Sequence, residues 1–523
     1  MHPNNGDFQI DRHPIPPSRI ASRWARCSVY PWLGVALLFF ASRGAATART
    51  VVVDYAFPPP NVQIVGNAQS SVSVEGCEIL HRIGQPEIPF LTGRILLPSE
   101  GQIAAIEVQS LLPEETIAVS LPLTFGRTPV PWAARDVEPA SDSTPNPTTY
   151  GSDLPYPVRR ITCSSIQSMN GYRIAIVQIF PVQYRPASGR LLYCPKLRVS
   201  VTLSGVNATT ALLRPSSAAQ AARVANFVDN PSDWPTDATR APSGAKPLTE
   251  SYDYLLVTAS SLTNAFQPLI NQKIADGLTV KVATMDTILA AYSGVDNAAK
   301  LRSFITYAYT NWNVTYVLLG GDVSTVPHRG AYAYCGSGYT DNNLPADLYF
   351  ACLDGSWNSD GDAIWGEPTD GEGGTDVDLL SEVFVGRAPV DTPAEVTNFV
   401  SKVVSYEQNG HPRPGEVRLL GEYLGTYNGT YAQGGDGIDP ILPSCDTYAI
   451  NWLDDRPMNS AVWTKAQALA ALNQSPHLVE HFGHANAGYA LRMYNADVGS
   501  LTNTSPFLLT SVGCNCGAFD SSD

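Results

Sequence analysis

Residues 478–520 read LVEHFGHANAGYALRMYNADVGSLTNTSPFLLTSVGCNCGAFD. Two apolar runs in it have the length of a buried strand, and each ends in reactive side chains. The first ends at His481-Phe482-Gly483-His484, the second at Gly513-Cys514-Asn515-Cys516-Gly517. In sheets of parallel strands, functional groups collect where strands end at the carboxyl edge. Moving toward the N-terminus, the same kind of run recurs as YDYLLVTAS from Tyr252, then LTVKVATM, VTYVLLGGD, EVFVGRAPV, EVRLLGEYLG and CDTYAINWL. Helical patterns lie between them at 262–275, 301–312, 393–407 and 464–473. Apolar strands alternating with helices of this length predict an α/β domain over 251–523, with a parallel sheet covered on both faces.

The preceding residues read differently. Segments such as RIAIVQIFPVQYRP and LLYCPKLRVSVTLSG alternate apolar and polar residues and are bounded by Gly, Pro and Asn, so 49–206 is expected to be an all-β domain of sandwich type. Residues 207–250 are rich in Ala, Ser, Thr and Pro and read as a linker with one short helix. At the start, Arg19, Arg23 and Arg26 precede an apolar stretch from Val29 to Ala41, followed by Ala46-Thr47-Ala48. That order is expected of a secretory signal peptide over 1–48, and its 13 apolar residues are too few to span a bilayer. The expectation is a secreted or cell-surface protein with no membrane span once the signal is removed.

The formal charge of -15 argues against nucleic acid as a partner, because phosphate contacts need clustered Lys and Arg. Eight cysteines remain after Cys27 is removed with the signal, too sparse for a disulfide scaffold. Their connectivity cannot be read from spacing.

A thiol becomes a strong nucleophile only when its proton is taken, and a nearby imidazole can take that proton and later protonate a leaving amine. Gly513 and Gly517 leave room for a substrate carbonyl to approach the backbone. Cys514 and His484 are thus the candidate catalytic pair, with a peptide or protein as the substrate.

The pairing of FGHANAG with LLTSVGCNCGAFD resembles the catalytic segments of the gingipain-type cysteine peptidases, peptidase family C25, whose fold is caspase-like. The resemblance places the family's histidine on His484 and its cysteine on Cys514. VTYVLLGGDVSTVP, PADLYFACLDG and EVFVGRAPV resemble the family's central strands, and IGQPEIPFLTGRILLPSEG and FPVQYRPASGRLLY its propeptide. It implies a cysteine endopeptidase made as a zymogen. The alternatives are a sortase-like transpeptidase of the same family, or a non-catalytic surface or adhesive protein that keeps the fold. Where the family commonly has Gly after the histidine, this chain has Ala485. Asp436, in QGGDGIDP, falls near the acidic specificity residue of arginine-specific members, which makes it a candidate substrate-binding residue; an exposed loop Asp is the competing reading.

Four other features compete for a role. Cys516 is also followed by glycine and is the rival nucleophile. His481, His484, Cys514 and Cys516 are all ordinary zinc ligands, but residues three apart on a strand point to opposite faces. CGSGY at 335–339 faintly resembles a papain-type nucleophile segment and reads as a glycine-rich loop. Finally, Leu353 to Asp378 carries six Asp and two Glu with no Lys or Arg. Within it, Asn358, Asp360, Asp362 and Glu367 fall at ligand positions of an EF-hand-like loop, with Gly361 at the turn position and Ser356 where Asp is usual. A structural calcium ion there would offset the repulsion; no cofactor is expected for catalysis.

Overall fold

In strand Lys196–Ser204 buried and partly exposed residues alternate, and it pairs antiparallel with Arg49–Ala56 and Gln102–Ser110. A period of two sends Leu197, Val199, Val201 and Leu203 to one face. A second antiparallel sheet, ordered Glu78–Leu80, Ile88–Leu96, Tyr172–Ile179, Ile161–Met169, sends Ile95, Val177 and Ile179 into the same core. These two sheets share one core, to which a three-stranded sheet of Val182–Arg185, Arg190–Tyr193 and Glu115–Ala118 adds Val182, Tyr184 and Leu191. This computed structural model describes residues 49–66, 68–127, 144–205, 218–233, 248, 250–334, 340–371, 376–427, 430–445, 447–456 and 462–521. The expected signal segment 1–48, the CGSGY loop and much of the linker lie outside the described residues.

Part of the stretch expected as linker packs on the β-domain. Helix Ala218–Phe227 buries Val224 with Leu96, Met169 and Ile174. Just after it, Asp229 Oδ2 accepts from Tyr55 OH at 2.8 Å and from Arg94 N at 2.7 Å, and Asn230 pairs with both backbone groups of Leu96. Composition rich in Ala and Ser hid this docking, which depends on single apolar and carboxylate positions.

All eight expected strands of the α/β region form, and we number them β1 to β8: Tyr254–Thr258, Val280–Thr284, Tyr316–Gly320, Phe384–Ala388, Glu416–Gly421, Ala449–Asp454, Leu478–Phe482 and Leu508–Val512. They are parallel, as expected, and they pair in two groups. Among the described residues they form two four-stranded parallel sheets, ordered β2-β1-β3-β4 and β6-β5-β7-β8. The helix Pro393–Asn409 explains where the first one closes. Its Val396 and Val400 pack back onto Leu256, Phe266, Leu269 and Ala388 of the first half, so the chain leaves β4 as a sheet edge. Apolar runs announce strands, whereas pairing partners are chosen by such tertiary contacts. No described helix is long and apolar enough to cross a membrane.

Candidate active site

The second half-sheet sets the geometry. Its strand order reverses between β5 and β7, since the chain runs from β5 outward to β6 and then crosses to β7, and crevices at such reversals are where open α/β sheets bind ligands. β7 pairs with β8 in a register that matches Leu478 with Leu508 and Phe482 with Val512. Each matched pair is 30 residues apart, and so are His484 and Cys514, which follow two positions beyond the last pair. The spacing of imidazole and thiol is thus the register of two adjacent parallel strands.

Glycines let the two strand ends close up. A Cβ on Gly513 would lie 2.5 Å from Ala485 Cβ and 3.3 Å from Gly483 O, and a Cβ on Gly483 would lie 2.7 Å from Cγ and Cδ of Glu422. Gly483 N donates to Val512 O at 3.3 Å. Ala485 is not among the positive-φ residues, so its substitution for glycine costs no backbone strain, whereas Asn515, beside the thiol, turns at φ 56°. His484 is half-buried, and its Nε2 is buried without a hydrogen-bond partner among the described residues. Cys514 and Cys516 are exposed.

His481 belongs to a different environment. It is fully buried, with Nδ1 2.8 Å from Ser511 Oγ and Nε2 3.0 Å from Glu422 Oε1. It therefore does not converge with the exposed thiols on a zinc ion; among the described residues the only grouping of metal-ligating side chains is Asp360, Asp362 and Glu367. Glu422, directly after β5, was not singled out from sequence, although an acid ending an apolar strand at the carboxyl edge is the same signal that marks His484. Arg492 lies 3.6 Å from Glu422 Oε2, pairs with Asp455, and stacks 4.2 Å over Trp463. Arg492 and Leu491 both adopt left-handed backbone, at φ 59° and 53°. Such a turn favours Asn-Gly, so its strain must be held by tertiary contacts. Burial of Leu491 beside Leu420 and Val479 and the ion pairs of Arg492 supply them.

The first half reaches the site through the segment after Cys514. Phe519 sits edge-on to His328 at 6.1 Å and under Arg387 at 5.0 Å, while Asp520 lies 3.9 Å from His328. Burial pulls the His328 imidazole below its usual range, against the opposing influence of Asp520.

Asp436 lies in the short helix Gly434–Ile438, which packs against β5 and β7. Arg456 donates to Asp436 at 2.7 Å, to Asp439 at 2.8 Å and to Asp454 at 2.8 Å, so three carboxylates share one guanidinium. In the acidic loop, the carboxylates of Asp360, Asp362 and Glu367 lie within 4.8 Å of one another. The Asn358 side chain is taken up inside the loop, accepting from Gly361 N at 2.8 Å and donating to Asp362 O at 2.9 Å. Gly361 has φ 75°, as the turn position requires. Desolvation, then Asp362, Asp360 and Asp370, push the Glu367 carboxyl up.

The profile of Peptidase family C25 matches residues 248–523, more than half of the chain, and that of the C25 propeptide matches 47–227. The chain belongs to peptidase family C25. The propeptide match reaches the end of the helix Ala218–Phe227, in line with its packing on the β-domain. Among solved structures, the complex of Porphyromonas gingivalis RgpB pro- and mature domains is 18% identical, with 52% of this chain and 57% of that one covered at a TM-score of 0.39. The Arg-specific cysteine proteinase gingipain R (RgpB) is 19% identical, with 53% and 58% covered at 0.39. Dimeric latent PorU from Porphyromonas gingivalis is 13% identical, with 69% and 35% covered at 0.23. This C25 chain thus spans less than two thirds of the length of these two RgpB chains. No match was found among curated proteins.

Proposed function

We propose that the chain is the zymogen of an exported cysteine endopeptidase in which His484 takes the thiol proton of Cys514, the thiolate attacks the scissile carbonyl, and His484 then protonates the leaving amine. The observation that carries this reading is the β7–β8 register, which sets the ends bearing His484 and Cys514 side by side at the carboxyl edge of a C25 domain. Backbone N–H groups beside Gly513 are available to the developing oxyanion. A peptidyl electrophile tests it. Labelling is expected at Cys514, and only after the connector has been cut; modification of Cys516 instead, or equal labelling before and after cutting, would overturn the nucleophile or the zymogen part respectively.

Contacts between the two domains support latency through a docked β-domain. The turn of its hairpin brings Ser168 N to 2.7 Å from Asp378 Oδ2, and Asn170 to Glu382 through both N and Nδ2. Arg223 donates to Ser381 at 2.7 Å and lies 4.6 Å from the Phe384 ring centre. Arg223-Val224 is therefore not an exposed bond open to processing. It lies within a helix, and cutting it would require unwinding the turn and exposing Val224, at a cost of about 1.5–3 kcal/mol for that side chain alone. Arg240-Ala241, a later arginine bond in the connector, lies outside the described residues.

Burial raises the Asp378 carboxyl to about 6, against the pull of the Ser168 amide, and raises Glu382 well above its ordinary range. A carboxyl raised on folding contributes stability that is full below its ordinary 3.8 and is lost as pH rises through about 6. Asp378→Asn keeps an acceptor for Ser168 N–H without the charge. The variant is expected to gain up to about 3 kcal/mol over wild type at neutral pH and nothing at low pH, read from denaturant midpoints across the range. A gain independent of pH would contradict this assignment.

Calcium is proposed at Asp360, Asp362 and Glu367. Hard carboxylate oxygens this close suit an ion with Ca–O distances of about 2.3–2.6 Å, and the ion would relieve their mutual repulsion. Melting temperature should rise with calcium and fall with a chelator; unchanged melts would count against it. Asp436 is proposed to meet a cationic P1 side chain, because three carboxylates around Arg456 leave excess negative charge. Asp436→Asn is the variant to compare on Arg and apolar P1 substrates.

A further inference from the structure

Catalysis as proposed leaves one thiol of the active-site turn unused. Cys516 stands two positions beyond Cys514, and both are exposed. Successive Cα atoms are about 3.8 Å apart, so residues two apart lie within about 7.6 Å, and a turn draws them closer, into the range of about 4.4–6.8 Å that disulfides bridge. Residues 514–517 form such a turn, with Asn515 at φ 56°. No atom lies within 4 Å of where a Cβ on Gly517 would be, so the segment has room to adjust. The Cys516 Sγ makes one weak contact, with Ser511 O at 3.8 Å. Among the other described cysteines, Cys194, Cys352 and Cys445 are buried, and Cys77 and Cys163 belong to the β-domain.

We propose that Cys514 and Cys516 form a reversible redox pair in which Cys516 resolves the oxidised nucleophile. The oxidant class is a peroxide. The Cys514 thiolate attacks one oxygen of hydrogen peroxide, the O–O bond breaks, and the departing hydroxide takes a proton and leaves as water, giving a sulfenic acid. The Cys516 sulfur then attacks the Cys514 sulfur; the S–OH bond breaks, hydroxide leaves with the Cys516 proton as a second water, and the disulfide forms. Two electrons have passed from the thiols to the peroxide. An external dithiol reverses the step and becomes the disulfide itself. Without a resolving thiol, further peroxide drives the sulfenic acid to the sulfinic acid, which reductants do not restore. A ring closed over one intervening residue is strained and exposed, the kind of disulfide that is easily reduced. The proposal rests on Cys514 being the nucleophile.

The test uses the full-length protein after connector cleavage, reduced and then exposed to hydrogen peroxide, with mass spectrometry of the peptide spanning both thiols. Expected is a loss of two hydrogens from that peptide, regained on adding a dithiol. In Cys516→Ser, Cys514 should instead gain two oxygens, and electrophile labelling should not return with reductant although it is normal before oxidation. Two results would overturn the proposal. One is wild type reaching the sulfinic acid as fast as the variant; the other is Cys516 pairing with a cysteine other than Cys514. The labelling of unoxidised protein judges the nucleophile reading separately: a disulfide that forms while the electrophile spares Cys514 rejects that reading alone.

Discussion

Cys514→Ala is expected to lower peptide hydrolysis by roughly 10^4- to 10^6-fold, the loss seen when one member of a catalytic unit is removed, while Cys516→Ala keeps most of the activity. The difference follows from register. His484 and Cys514 extend the same row of paired residues, two steps past Phe482 and Val512, and Gly513 packs against Ala485. Cys516 lies beyond the left-handed turn at Asn515, with its sulfur directed to Ser511 O. Substituting an exposed thiol removes little packing. Kinetics on the two variants after connector cleavage decide it: reversed effects would move the nucleophile by two residues, and full activity in Cys514→Ala would end the cysteine-peptidase reading.

Glu422→Ala is expected to cost about 3–5 kcal/mol of stability, because it strips a buried hydrogen-bonded ion group of one partner. Glu422 is 3% exposed, its Oε1 holds the fully buried His481, and its other oxygen faces Arg492. Alanine would leave the His481 Nε2 without a partner in a site closed to water, directly beneath Gly483. Glu422→Gln, which can still accept from His481, should lose much less. Denaturant midpoints measure both. A loss below about 1 kcal/mol in the alanine variant would mean that water replaces the carboxylate there.

The eight strands of the α/β region were legible because each is a short apolar run closed by Gly, Pro or a polar residue. The candidate pair was legible because reactive side chains ended two such runs. Pairing was not. Nothing local in EVFVGRAPV says that β4 becomes an edge; that follows from Val396 and Val400 folding back on the first half. The group formed by Glu422, His481, Arg492 and Asp455 was hidden for a similar reason, since its members come from four separate segments and only burial brings them together. The acidic loop shows the intermediate case. Its spacing announced Asp360, Asp362 and Glu367, but not that Asn358 would spend its amide inside the loop.

Phe519 is gripped by Arg387 and His328 of the first half, whereas His484 follows β7 of the second. The segment carrying Cys514 is therefore strung like a cable between two frames, with the imidazole mounted on only one of them. Motion between the halves would pull on the turn after β8 but not on the end of β7, so stiffness where the halves meet is expected to keep that turn in register with its neighbour.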